Sequence, residues 1–87
     1  MINNFLLKEF GKRIRYLRTQ EKLSQEQLSY KTGFHRTYIG MIERGERNIS
    51  LTNMAVFAKV FNLTIDELLK FKKATELLKH YKLKTED

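Results

Sequence analysis

The chain contains no cysteine and no proline, and only four glycines in 87 residues. Without cysteine there is no disulfide, no thiolate nucleophile and no cysteine-ligated zinc. Without proline, and with so few glycines, little interrupts a helix. Long apolar runs are missing too: nowhere do about 18 consecutive apolar residues occur, so no segment is expected to span a membrane. Phe5-Leu6-Leu7 is too short a run for the core of a signal peptide. Catalytic signatures are equally scarce. His35 and His80 are the only histidines, and neither a His-Glu-x-x-His pattern nor a Gly-rich phosphate loop occurs. An enzyme is therefore set aside, and neither a metal nor a cofactor is expected. The length leaves room for one domain, residues 1–87, with a core of about 8–70 and a C-terminal helical extension or tail over 71–87. No sensor domain fits beside it, so no small-molecule effector is expected.

Hydrophobic residues make up 41% and charged residues 31%, a balance typical of a folded globular domain. Seventeen Lys and Arg against ten Asp and Glu give a net charge of +7. A small basic domain calls for an anionic partner, and nucleic acid leads over a membrane surface. The cytoplasm, at the nucleoid, is the expected compartment. The charge is uneven. Residues 8–22 carry six basic and two acidic groups and residues 70–87 carry six and three, whereas residues 51–69 hold one Lys against Asp66 and Glu67.

Helical periodicity dominates, with no alternating run to suggest a strand, so the class is all-α: a compact five-helix bundle. Phe10, Ile14 and Leu17 share one helix face, and Lys12, Arg13, Arg15 and Arg18 lie on the other. Ser24-Gln25-Glu26-Gln27 is a capping box opening a short helix to about Thr32, with Gly33 as its stop. A second short helix runs from Arg36 to Arg44 with Ile39 and Ile42 inward and Gly45 beyond it. Ser50 caps a fourth helix carrying Met54, Ala55, Ala58 and Phe61. Thr64-Ile65-Asp66-Glu67 is a second capping box, opening a fifth helix through Leu69. Phe71, Ala74, Leu78 and Tyr81 then step by three, four and three, so residues 70–83 either extend helix five or form a sixth.

Two short helices joined through Gly33-Phe34-His35 describe a helix-turn-helix. SQEQLSYKTGFHRTYIGMIERGERNIS resembles that motif in the Cro and phage-repressor superfamily of transcription regulators. The stretch from HRTYI to IERGERNISL looks most like the controller proteins of restriction–modification systems. The resemblance covers about residues 8–70 and implies a dimeric regulator of double-stranded DNA, with RNA polymerase a candidate further partner. It also implies an autoregulatory role, activating at low level and repressing at high level.

In such a motif the second helix enters the major groove and its N-terminal residues reach base edges. The outward residues there are Arg36, Thr37, Tyr38 and Met41, and the resemblance assigns base reading to Arg36, Thr37 and Met41. Arg36 can place its planar fork on guanine, worth about 1–3 kcal/mol of discrimination. Thr37 can hydrogen-bond or meet a thymine methyl. Tyr38 either reaches a phosphate or packs against the turn, and Met41 either touches a base or flanks the core. Gln25, Arg44, Arg47 and Asn48 are candidate phosphate contacts. Glu43 looks like the family's partly buried carboxylate, with Arg18 as its matching partner in helix one. His35 is a poor capping type and reads as structural or as a backbone contact. Gly40, inside the second helix, allows close approach either of DNA or of the neighbouring helix.

One module reads too few base pairs for specificity, so a two-fold dimer on half-sites about 34 Å apart is expected. Leu68, Leu69, Phe71, Leu78 and Tyr81 are the candidate interface, although Ile65 and Leu68 also suit the domain's own core. Two other readings compete. One is an antitoxin or bridging-type helical module whose main role is holding a protein partner; the other is a nonspecific basic binder.

Overall fold

The computed structural model describes residues 5–71 and residue 79. Five helices follow one another among them, with no strand: α1 (Phe5–Gln20), α2 (Gln25–Thr32), α3 (Arg36–Glu43), α4 (Leu51–Val60) and α5 (Ile65–Leu68). Of the continuation expected over residues 70–83, residues 70 and 71 follow α5 without helical structure, and residues 72–83 lie outside the described residues apart from residue 79.

The joints are fixed by local chemistry. α1 ends in a turn where Lys22 takes a positive φ of 57°, and the Leu23 amide then donates to the Arg18 carbonyl at 3.1 Å. Ser24 follows as an N-cap whose hydroxyl accepts from the Gln27 amide at 3.0 Å, while the Gln27 side chain accepts from the Ser24 amide at 2.7 Å. The α4–α5 joint repeats this device. Asn62 has φ 58°, the Leu63 amide donates to Ala58, and Thr64 with Glu67 forms the second capping box. In both joints a leucine precedes the cap and another stands at the fourth helical position, the places of a hydrophobic staple. Leu28 and Leu68 are fully buried, and Leu23 and Leu63 pack against the same core.

α2 ends at Gly33, whose φ of 81° is the left-handed value a side chain disfavours. The turn after it is tied inward: the Ser29 hydroxyl donates to the Phe34 carbonyl, and the Phe34 amide donates to the Thr32 hydroxyl at 3.1 Å. His35 then does serve as the N-cap of α3, its Nδ1 accepting from the Thr37 amide at 3.0 Å. A ring nitrogen replaces the hydroxyl or carboxylate oxygen that a capping rule looks for.

Phe10, Ile14, Leu28, Ile39, Ile42, Phe57, Ala58, Phe61 and Leu68 form the core. Of the residues named on α4, Ala58 and Phe61 are in the core and Met54 packs against it, whereas Ala55 is exposed and Phe57 takes the central place. Leu68, offered both as interface and as core, belongs to the core and leaves the candidate dimer interface. Its side chain is fully buried in the chain's own core, because α5 is a single turn whose fourth position faces inward.

Two contacts set α1 that periodicity does not reveal. A Cβ on Gly11 would stand 2.5 Å from the Glu43 carbonyl oxygen, so α1 and the end of α3 meet backbone to backbone. Arg13, half-buried, is committed rather than a free outward charge: its Nε and Nη2 donate to the carbonyls of Leu68 and Glu67 at 3.1 and 2.8 Å, capping the C-terminus of α5.

Candidate nucleic-acid interface

α3 presents its N-terminal half outward while Ile39 and Ile42 hold it to the core. Arg36 and Thr37 are exposed at that end, and the Arg36 guanidinium makes no hydrogen bond or ion pair with the described residues. Tyr30, on the adjoining face of α2, is also exposed and donates to Glu26 at 3.0 Å. That hydrogen bond and the Glu26 charge push the Tyr30 phenol above its ordinary range, with Arg36 close enough to oppose them. Arg36, Thr37, Gly40 and Arg44 line one cleft with Ser24, Gln25 and Glu26 at the start of α2. A strand of phosphates crossing the start of α2 would therefore lie beside the outward residues of α3.

Behind this surface runs a polar tie joining three helices. The Arg18 guanidinium donates to Glu43 through Nε at 2.6 Å and Nη2 at 3.0 Å, and through Nη1 to the Leu23 carbonyl at 2.8 Å. Gln25 Nε2 donates to the same carboxylate at 3.1 Å. Among the described residues no buried side-chain nitrogen or oxygen lacks a partner. α1, α2 and α3 are thus tied together at the last residue of α3.

The remaining candidates differ in how they are held. Tyr38 is half-buried: its ring meets Phe34 edge-on with centroids 5.1 Å apart, and its hydroxyl accepts from Asn53 Nδ2 at 3.0 Å. Arg47 lies 5.5 Å over the Tyr38 ring, a cation–π contact that steadies an otherwise exposed loop arginine. Asn48 is exposed, and Met41 is half-buried. Arg44 is exposed and paired with Glu46. Gly40 is buried, and a Cβ there would come within 3.5 Å of Gln25 Oε1 and 3.1 Å of Arg44 Nη1. Within the chain, its missing side chain makes room for those two groups. Asn53 and Glu46 were not visible as members of this surface; each acts through tertiary or loop proximity that no helical period encodes.

At the other end, Leu69 and Phe71 are half-buried and pack against the core. Leu78 and Tyr81 lie outside the described residues. Among the described residues no group of His, Cys, Asp or Glu could hold a metal ion, and no helix is long and apolar enough to cross a membrane.

The family described as Helix-turn-helix matches residues 14–68, which takes in every element from the middle of α1 to the end of α5. The chain belongs to the helix-turn-helix family. This is a family of DNA-binding regulators and not of enzymes. Within it, the chain is 42% identical over 72 residues to control protein C.BamHI of Bacillus amyloliquefaciens, covering 82% of this chain and 88% of the relative. The restriction–modification controller protein C.AhdI of Aeromonas hydrophila is 45% identical with a TM-score of 0.68, covering 71% of this chain and 94% of that one. The controller protein C.Esp1396I, solved as a tetramer with its natural 35 base-pair operator, is 32% identical with a TM-score of 0.67, covering 75% and 90%. This helix-turn-helix protein shares with them an all-helical fold.

Proposed function

We propose that the chain is a sequence-specific transcription regulator that binds inverted-repeat operator DNA as a homodimer, in the manner of a restriction–modification controller protein. The observation that carries this reading is the exposed Arg36, with no hydrogen bond or ion pair among the described residues, beside Thr37 on a helix held from behind by the Arg18–Glu43–Gln25 tie. A side chain on a fixed helix reads a base edge without first being ordered. Arg36 donates to guanine, Thr37 and Met41 touch neighbouring bases, and Gln25, Tyr38, Arg44, Arg47 and Asn48 face phosphates. Gln25 spends one amide hydrogen on Glu43 and keeps a second for a phosphate. The dimer forms at the C-terminal end through Leu69 and Phe71, continued by Leu78 and Tyr81. Its setting is the cytoplasm, at the nucleoid, and RNA polymerase is the further partner when the bound site activates a promoter.

The test is selection of bound fragments from sheared DNA of the source cell at near-physiological salt, with the native protein and Arg36→Ala in parallel. Salt matters because phosphate contacts inflate nonspecific retention when it is low. The native protein should enrich an inverted repeat and Arg36→Ala should lose about 1–3 kcal/mol of preference for it. If both proteins retain the same unpatterned fragments, the chain is not a sequence-specific regulator.

A further inference from the structure

Arg44 is the residue that closes α3, and its exposed side chain turns back along the helix towards Gly40. Its Nη1 lies 3.1 Å from the place a Cβ would occupy on Gly40. There the guanidinium meets Glu46, two residues on, with Nε donating at 2.9 Å and Nη2 at 3.1 Å to the two carboxylate oxygens. Both side chains are at least half exposed. The same guanidinium borders the cleft shared with Gln25, Arg36 and Thr37.

A guanidinium fork accepts a carboxylate or a phosphate in the same two-pronged geometry. Glu46 therefore occupies on Arg44 the position that a DNA phosphate would take. From this we infer that Glu46 is an affinity-limiting residue: an internal counter-ligand that a duplex must displace before Arg44 can hold the backbone. The inference rests on the DNA-binding reading of the cleft and adds to it a residue that opposes binding. The hydrogen bonds from Arg44 hold the Glu46 carboxyl below its usual range, so the competitor stays charged through neutral pH. The pair is exposed and cheap to open, which makes it a modest brake and not a block. It is also indifferent to base sequence. Its effect is to raise the protein concentration at which any duplex, operator or not, becomes occupied.

The experiment is a double-mutant cycle on DNA affinity, using the duplex recovered in the selection above and poly(dI–dC). Glu46→Gln removes the charge and keeps the shape. It should tighten binding to both duplexes by about three- to fivefold, the range open to an exposed ion pair. Arg44→Ala should weaken binding, and in that background the gain from Glu46→Gln should fall to less than half. Equal gains with and without Arg44 would mean that Glu46 repels phosphates merely as a nearby charge, and would overturn the inference, as would no gain at all. A native protein that binds neither duplex even at low salt overturns both this and the DNA reading, and that result is recognisable before any variant is compared. Both positions are exposed, so unchanged thermal melts are expected of all four proteins and confirm that folded molecules are being compared.

Discussion

Two Arg–Glu pairs stand at the same end of α3, one on each side of its last turn. Arg18 and Glu43 keep 12% and 4% of their side-chain exposure, and Arg44 and Glu46 keep 57% and 50%. The ions and the forked geometry are alike, but the surroundings differ. Around Glu43 the carboxylate has given up water and received three donors from two other helices. Around Glu46 water remains, so opening the pair exchanges one set of hydrogen bonds for another. A desolvated pair specifies where the helix sits, and a solvated one is free to trade partners.

The comparison breaks most visibly by truncation. Glu43→Ala leaves the Arg18 guanidinium short of water and without its anion, and should cost about 3–5 kcal/mol of stability in urea unfolding. Glu46→Ala should stay within about 0.5 kcal/mol of the native protein. Similar losses for the two would show that burial does not separate them. A smaller effect is expected where α1 meets the Glu43 carbonyl. Gly11→Ala gains helix propensity but places a methyl against backbone that has no room for it, for a cost of about 1–3 kcal/mol. A neutral or stabilising outcome would mean that α3 can shift, and the polar tie with it.

The smallest effect concerns Glu67, an exposed carboxylate that is nonetheless committed, because it caps the backbone. Hydrogen bonds from the Thr64 amide and hydroxyl hold its carboxyl below the usual range. Such a lowered value adds stability above the unfolded carboxyl's pKa, about 4.3, and the addition is lost as pH falls through the folded value. Glu67→Gln, which copies the Gln27 of the other capping box, should therefore show a shallower loss of melting temperature over that acid range. Native and variant curves that run parallel would remove Glu67 from the acid response.

Much of this molecule is written locally. The two capping boxes, Gly33 and the inward Ile39 and Ile42 each depend on residues within four positions, and each stands where the pattern puts it. The fold class and the helix-turn-helix were legible for the same reason. What was not legible depends on meetings between distant segments. Gly11 is small because a carbonyl from α3 lies against it, and Arg13 is committed because α5 ends beside it, 55 residues away. Leu68 shows the limit of periodic reading: an apolar stripe gives a face but not its owner, and a single-turn helix turned this one into the core. At the candidate interface, the outward positions of α3 follow from helix geometry, whereas Asn53 behind Tyr38 and Glu46 on Arg44 emerge only in three dimensions.

The close approach at Gly11 also bears on who adapts to whom. No layer of side chains separates α1 from the end of α3, so there is nothing compressible between them to take up a misfit. A groove of the wrong width or twist cannot be accommodated by rolling the helix. On the DNA-binding reading proposed above, the compliance falls to the duplex, and sequences that bend or narrow easily would be favoured even at base pairs that no side chain touches.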